Sequence, residues 1–340
     1  MKRKTFTIAD VGANHNKRLD LALTMIDICK NLGIDAIKFQ TYSSETMYSK
    51  NTPDFANYKN IPDLIKSIEL PREWQKDLKQ YCDEKKIEFM STPFDQKAVD
   101  ELMDLGVKRF KIASFESSDE PFVRYIASTK KPIIFSTGLM DEKQLVKTLN
   151  WIYDENPSGE IVVMHCVSSY PTPGDQINLS TVSWLRRWLT HNFNNRNIEV
   201  GFSDHTEHSI TPSYAVALGA KYIEKHFTIF NDLQGPDHFF AMNPTRLNEM
   251  MYAIEHVEEM MGSFEMCTQQ CEKEMFKASR SVVAKRDIIE GTILEESDLT
   301  TKRPYLGDEY VHASEYYSLI GERTKVDIKE DDLIKKEWIS

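Results

Sequence analysis

Four histidines, His205, His208, His226 and His238, fall in the stretch from Ile198 to His238, and two of them, His205 and His226, stand where an apolar run stops. IEVGFS (Ile198–Ser203) and YIEKHFT (Tyr222–Thr228) read as buried strands, and HSITPSYAVALGA between them reads as a helix ended by Gly219. His205 and His226 are too distant in sequence to share a helical face. Neighbouring parallel strands would bring them within reach of one metal ion, and neutral imidazole is the commonest metal ligand. A single histidine at a strand end is more often a satisfied polar group. Two at equivalent ends, one beside Ser203-Asp204 and one beside Glu224-Lys225, point to a divalent metal held by His205 and His226.

A second set of residues points to an anion. Lys38 and Lys111 sit inside apolar runs, AIKFQ and RFKIA, and a lysine so placed is rarely without a partner. Thr92, Ser114, Ser136, Ser168 and Ser203 follow or end comparable runs. Cations with several hydroxyls make a pocket for a phosphate or carboxylate, and a metal beside it can polarise a carbonyl. Metal-assisted chemistry on an anionic, phosphorylated small molecule is the physical expectation.

These residues need a frame that gathers strand ends. Short apolar segments alternate with amphipathic ones: Thr5–Val11, Ala36–Thr41, Ile87–Ser91, Arg109–Ala113, Pro132–Ser136, Ile161–Val167, Ile198–Ser203 and Tyr222–Thr228 read as strands. Helices are expected between them, among them Leu19–Leu32, one opened by Pro71, and Pro244–Met261 ended by Gly262. Eight such units match a (β/α)8 TIM barrel, whose chemistry sits at the carboxyl ends of the strands. The competing doubly wound sheet lacks its Gly-x-Gly-x-x-Gly turn. Read strand by strand, the ends deliver Asp10 with Asn14-His15, Lys38 and Gln40, Ser91-Thr92, then Lys111 with Ser114 and Glu116. Ser136-Thr137-Gly138, Ser168-Ser169-Tyr170, Ser203-Asp204-His205 and Lys225-His226 complete the circuit. The long connection Tyr42–Leu70 suits a lid or binding loop.

The division expected is a catalytic domain over residues 1–262, a polar linker over 263–278 and a small β-rich domain over 279–340, with SVVAKRDI, TILEESDLTTKRP and IGERTKVDI as strands. With 41% hydrophobic residues among 340, the chain can bury a large core. Its formal net charge of −11 argues against nucleic acid or an anionic membrane as partner. The 5 cysteines are odd in number and scattered, Cys267 and Cys271 lack further zinc ligands nearby, and no apolar leader or membrane span is present. A reduced, cytoplasmic setting is expected.

At these residues the chain resembles the sialic acid synthases and their relatives, the nonulosonic acid synthases that also make legionaminic and pseudaminic acids. The matching stretches are IADVGANHN, DAIKFQTY, STPFD, RFKIASFE, PIIFSTGL, CVSSYPTP, GFSDHT, YIEKHFT and GPDH, in order along the chain. RSVVAKRDIIEGTILEESDLTTKRP resembles the antifreeze-like SAF domain that these enzymes carry. The resemblance implies condensation of phosphoenolpyruvate with an open-chain N-acylated hexosamine, with release of phosphate. It implies that Lys38, Thr92, Lys111, Ser114, Ser136 and Ser203 hold phosphoenolpyruvate. His205 and His226 would hold Mn²⁺, with Mg²⁺ or Co²⁺ as alternatives. Gln40, Tyr170 and Asp237 would meet the sugar, Ser168 would bind substrate, and Asp10 or Glu116 would move protons. Arg303 would reach the partner's site in a domain-swapped homodimer. Asp10 stands where the family usually has glutamate, and Ser168 where sialic acid synthases commonly carry asparagine. SSYPTP and KIASFE look like the pseudaminic branch, whereas GPDH keeps His238 as the sialic and legionaminic branches do, so the acceptor stays open. A metal-dependent aldolase or isomerase of a phosphorylated sugar is the rival enzyme reading, and a non-catalytic ice- or carbohydrate-binding protein the rival from another class.

Overall fold

The computed structural model describes residues 4–54, 59–193 and 196–340. The chain is divided into two compact units, Met1–Gly262 and Ser263–Ser340. In the first, the strands are β1 Phe6–Asp10, β2 Ala36–Thr41, β3 Glu88–Pro93, β4 Phe110–Ile112, β5 Ile133–Ser136, β6 Ile161–Cys166, β7 Ile198–Asp204 and β8 Tyr222–His226. They form one 8-stranded parallel sheet in the order β3-β2-β1-β8-β7-β6-β5-β4, and β3 and β4 at its two ends lie against each other. The result is a nearly closed (β/α)8 barrel.

Helices follow the strands in turn. α1 Leu19–Asn31 follows β1; α2 Ser44–Met47, α3 Ile61–Ile68 and α4 Trp74–Lys85 follow β2; α5 Gln96–Asp104 and α6 Glu120–Ser128 follow β3 and β4. α7 Glu142–Glu155, α8 Ser180–Asn192, α9 Thr211–Ala217 and α10 Pro244–Met261 complete the ring. Several begin on a side chain suited to hold their free N–H groups. Asp95 accepts from Ala98 N at 2.7 Å, Asp141 from Gln144 N at 2.8 Å and Asn243 from Arg246 N at 3.1 Å. Pro71 does not open α4, contrary to expectation. Trp74 N bonds to Pro71 O at 3.0 Å and Gln75 N to Arg72 O at 3.2 Å, a tight three-residue turn that delays the α-helix to Trp74.

Side chains alternate along every strand, so each strand serves two environments. Outward residues such as Ile37, Phe39, Phe110, Phe135, Val163, Phe202 and Ile223 pack under the helices. Inward residues are layered. Ile8, Ala36, Met90, Ile134, Val162 and Met164 form an apolar plug inside the barrel. At the amino-terminal mouth Arg109 bonds Glu88 at 2.8 Å and Tyr222 donates to Glu160 at 3.1 Å. Above the plug the next inward layer is polar, and it forms the floor of the site.

In the second unit, β9 Ser281–Ala284 pairs antiparallel with β10 Leu299–Lys302 around Val282, Leu294, Leu299, Val311, Ile328 and Ile334. IGERTKVDI makes only isolated bridges, Arg323 to Ile293, Thr324 to Ile339 and Ile328 to Ile288, because the turns at Gly291 and Gly321 keep the pairings short. The 263–278 stretch is not a plain linker. Its second half is a 3-10 helix, Gln270–Ala278, and it displays Phe264, Met266 and Phe276 to solvent.

Candidate active site

β8 and β7 show how the sequence aims the floor. On β8, Tyr222, Glu224 and His226 point inward, while Ile223 and Lys225 point out; on β7, Ser203 is inward and Asp204 outward. Asp204 and Lys225, expected at the site, instead meet each other outside the barrel at 2.6 Å, both fully buried. They stand on the wrong parity of their strands. Glu224, on the right parity, was missed, although its position two residues before His226 announces it.

A cavity of about 560 Å³ opens above the floor. It is lined by Asp10, Lys38, Gln40, Thr92, Lys111, Ser114, Ser136, Ser168, Tyr170, Ser203, His205, His226 and Asp237, together with Cys166 and Glu224. Glu116 and Arg303 are not among its lining residues. Glu116 lies on the short turn after β4, and Arg303 belongs to the second unit, before the cis bond to Pro304. Residues 55–58 of the long connection fall outside the described residues.

The floor is a chain of opposite charges. Lys38 Nζ is 2.7 Å from Asp10 Oδ2, donates to Thr92 Oγ1 at 3.1 Å and lies 3.8 Å from Glu224 Oε2. Lys111 Nζ donates to Ser136 Oγ at 2.7 Å and stands 3.5 Å from Glu224 Oε1, which also accepts from Ser203 Oγ at 3.0 Å. Asp10 further accepts from Gly12 N at 3.0 Å. Burial pushes the Asp10 carboxyl up, but Lys38 and His226 outweigh it and hold the group at about 2. Asp10 is therefore a carboxylate at neutral pH and the partner of Lys38. Gly12 has φ +53, and a Cβ there would lie 2.7 Å from Asp237 Oδ2, so only glycine lets Asp237 approach.

Beside this floor stand two imidazoles with ring centroids 5.4 Å apart. His205 Nδ1 is 2.8 Å from Val167 O; a carbonyl only accepts, so this nitrogen carries the proton and Nε2 keeps its lone pair. His226 Nδ1 is buried without a hydrogen-bond partner among the described residues, 4.0 Å from Asp237 Oδ2, and its Nε2 is 3.6 Å from Asp10 Oδ2. An orphaned buried nitrogen and a free lone pair on neighbouring imidazoles are donors of the kind that a divalent ion takes. No group of three or more His, Cys, Asp and Glu residues ready to hold a metal occurs among the described residues, so water or substrate oxygens would complete the coordination. Tyr170 lies over His205 at a centroid distance of 4.2 Å. His238 is placed elsewhere, bonding Thr228 Oγ1 at 2.7 Å and Asn16 Oδ1 at 3.0 Å.

Two further groups complete the chemistry. Ser168 Oγ is buried with no partner among the described residues. Cys166 Sγ lies 3.8 Å from His205 Nδ1. The arrangement can bind several anionic oxygens against two ammonium groups and a ring of hydroxyls, with a carbonyl oxygen beside the imidazoles.

Against known proteins, the NeuB family matches residues 25–266 and the SAF domain residues 279–339. The N,N'-diacetyllegionaminic acid synthase of Legionella pneumophila is 34% identical over 95% of this chain and 91% of its own length. The pseudaminic acid synthase of Campylobacter jejuni serotype O:2 is 33% identical over 98% of this chain and 96% of its own. Among solved structures, the N-acetylneuraminic acid synthetase of Leptospira borgpetersenii superposes with a TM-score of 0.72 at 30% identity, covering 81% of this chain and 90% of that one.

Proposed function

From the premise that this chain belongs to the NeuB family and carries a SAF domain, we propose that it is a phosphoenolpyruvate-dependent nonulosonic acid synthase. It condenses phosphoenolpyruvate with the open-chain form of an N-acylated hexosamine. C3 of phosphoenolpyruvate bonds to the aldehyde carbon, water supplies the oxygen at C2, and the C2–O bond to phosphate breaks. One proton from water ends on the former aldehyde oxygen and the other on phosphate. The observation that carries this reading is the convergence of Lys38, Lys111, Thr92, Ser114 and Ser136 on one cavity that also holds two imidazoles.

In this reading Lys38 and Lys111 meet the phosphate and carboxylate, and Thr92, Ser114, Ser136 and Ser203 donate to their oxygens. A Mn²⁺ ion, or Mg²⁺ or Co²⁺ in its place, held by His205 and His226 would polarise the aldehyde. Asp10, fixed as a carboxylate, keeps Lys38 charged and aimed, and is no proton donor. Glu224, between the two ammonium groups, is the better placed carboxylate to accept a proton from the water that adds at C2. Gln40, Ser168, Tyr170 and Asp237 orient the sugar. Arg303 acts in the site of a partner subunit, in a domain-swapped homodimer. The metal-aldolase alternative gives the paired lysines no task and is not favoured.

Phosphate release from phosphoenolpyruvate tests the reading, run with Mn²⁺ or chelator against N-acetylmannosamine and diacetamido-trideoxy hexoses. Release that requires both the metal and one sugar is expected. A folded, metal-binding protein that releases no phosphate with any sugar would return the case to the aldolase class.

A further inference from the structure

The strands hold the two imidazoles of the cavity in unequal ways. His226 is the last residue of β8 and is paired with Asp10 of β1, so the ladder fixes its backbone. β7 ends at Asp204, paired with Lys225 in the last step of the β7–β8 ladder, and His205 is the first residue beyond it. One buried ammonium spans that gap. Lys225 Nζ stands 2.6 Å from Asp204 Oδ2, donates to Thr206 O and lies 3.4 Å from Thr206 Oγ1. Asp204 closes the turn by accepting from Thr206 N at 2.8 Å and from Thr206 Oγ1 at 3.1 Å. Asp204, Lys225 and Thr206 are each 1% exposed, so water does not compete for these bonds.

The residue before His226 therefore grips the residues on both sides of His205. The other holds on His205 lead elsewhere. Its O accepts from Thr172 N at 3.0 Å and its Nδ1 bonds Val167 O, both in the loop after β6. Without Lys225, His205 would follow that loop and not β8. Metal donors have to be held to within about 0.5 Å, and the groups behind the donors do the holding. We propose that the Asp204–Lys225 pair is a positioning device that sets the separation of His205 and His226 for one divalent ion. This rests on the synthase reading above, which gives those imidazoles a metal.

Mn²⁺ titration of the full chain, followed by the paramagnetic resonance of the free ion, tests the pair beside urea unfolding. Asp204→Asn with Lys225→Met removes both charges at nearly constant volume, and such an exchange is often neutral for stability. The double variant is expected to keep a urea midpoint near that of the parent while its Mn²⁺ Kd rises roughly 10- to 100-fold. Should it not fold, Asp204→Leu with Lys225→Met carries the same two expectations. Arg109→Met breaks the ion pair with Glu88 at the opposite mouth of the barrel; it lowers the urea midpoint and leaves the Kd within about twofold. An unchanged Kd in the folded double variant, an equal rise in Arg109→Met, or a parent chain that takes no Mn²⁺ would each overturn the proposal. Phosphate release is read separately. A chain that binds Mn²⁺ and releases no phosphate with any sugar ends the synthase reading, and the Kd comparison still decides the positioning role.

Discussion

Glu116 shows what burial does to one carboxyl. Its Oε2 is out of solvent with no partner among the described residues, and burial pushes the group from 4.5 up to about 7 despite its backbone hydrogen bond and Lys111 nearby. The unfolded chain gives up that proton near 4.5 and the folded chain only near 7, so between these values the folded state binds more protons. Stability therefore falls as pH rises through that window, by on the order of 3 kcal/mol, and is flat on either side. Glu116→Gln removes the slope: its urea midpoint exceeds that of the parent at pH 8 and matches it near pH 4. An unchanged pH profile would show that Glu116 ionises freely. Asp10 is the opposite case. Asp10→Asn leaves the Lys38 ammonium buried beside a neutral group, and a loss of about 3–5 kcal/mol in denaturant unfolding is expected, together with slower phosphate release. That Lys38 and Lys111 line one cavity was legible from charged groups inside apolar runs, and that Asp10 joins them from its place at the end of the first strand. Their pairing was not, because which carboxylate meets which lysine depends on barrel closure, and Glu224 reaches both lysines from a distant strand.

At the scale of the element, strand parity divides chemistry from scaffold. Glu224 and Lys225 are neighbours in sequence, yet one lies in the cavity and the other is clamped to Asp204 beneath the helices. Lys225→Met leaves Asp204 buried without its counter-charge and is expected to lower unfolding free energy by about 3 kcal/mol or more. Glu224→Gln retains volume and a hydrogen-bond acceptor for Ser203 but takes the facing charge from buried Lys111; its expected effect is a loss of phosphate release of roughly 100-fold together with a lower melting temperature. Equal destabilisation by both, with equal activity, would contradict the division. The strands themselves were readable as apolar runs, and β2 and α10 match their expected limits residue for residue. The apolar wall that Ile61, Leu64, Ile65 and Ile68 of α3 give the cavity was not readable. IPDLIKSI has helical periodicity, but it lies in a polar connection rich in Asn, Lys and Ser, and only the fold turns its apolar face toward the strand ends.

For the whole molecule, the boundary at Gly262 leaves a stretch before the 3-10 helix that carries fully exposed Phe264 and Met266. Limited chymotrypsin digestion is expected to cut first at Phe264, giving one large and one small fragment. Protection of Phe264 that grows with protein concentration would mean that a second copy covers it. That the chain has two units was foreseeable from where the alternation of strand and helix stops. The 3-10 helix Gln270–Ala278 was not, since a polar segment gives no helical period of its own.

The inward and outward ranks of β8 bear on how such a chain can be inherited. Adding or deleting a single codon in β8 ahead of Glu224 would carry Lys225 into the cavity and turn Glu224 and His226 out under the helices. The two-residue period makes the reading frame of each strand as strict as that of a gene. Lineages that keep the floor can exchange its residues one at a time. They can change the number of residues only in the loops, and the connection after β2 that builds the apolar wall is where new acceptors can be tried without disturbing the lysines.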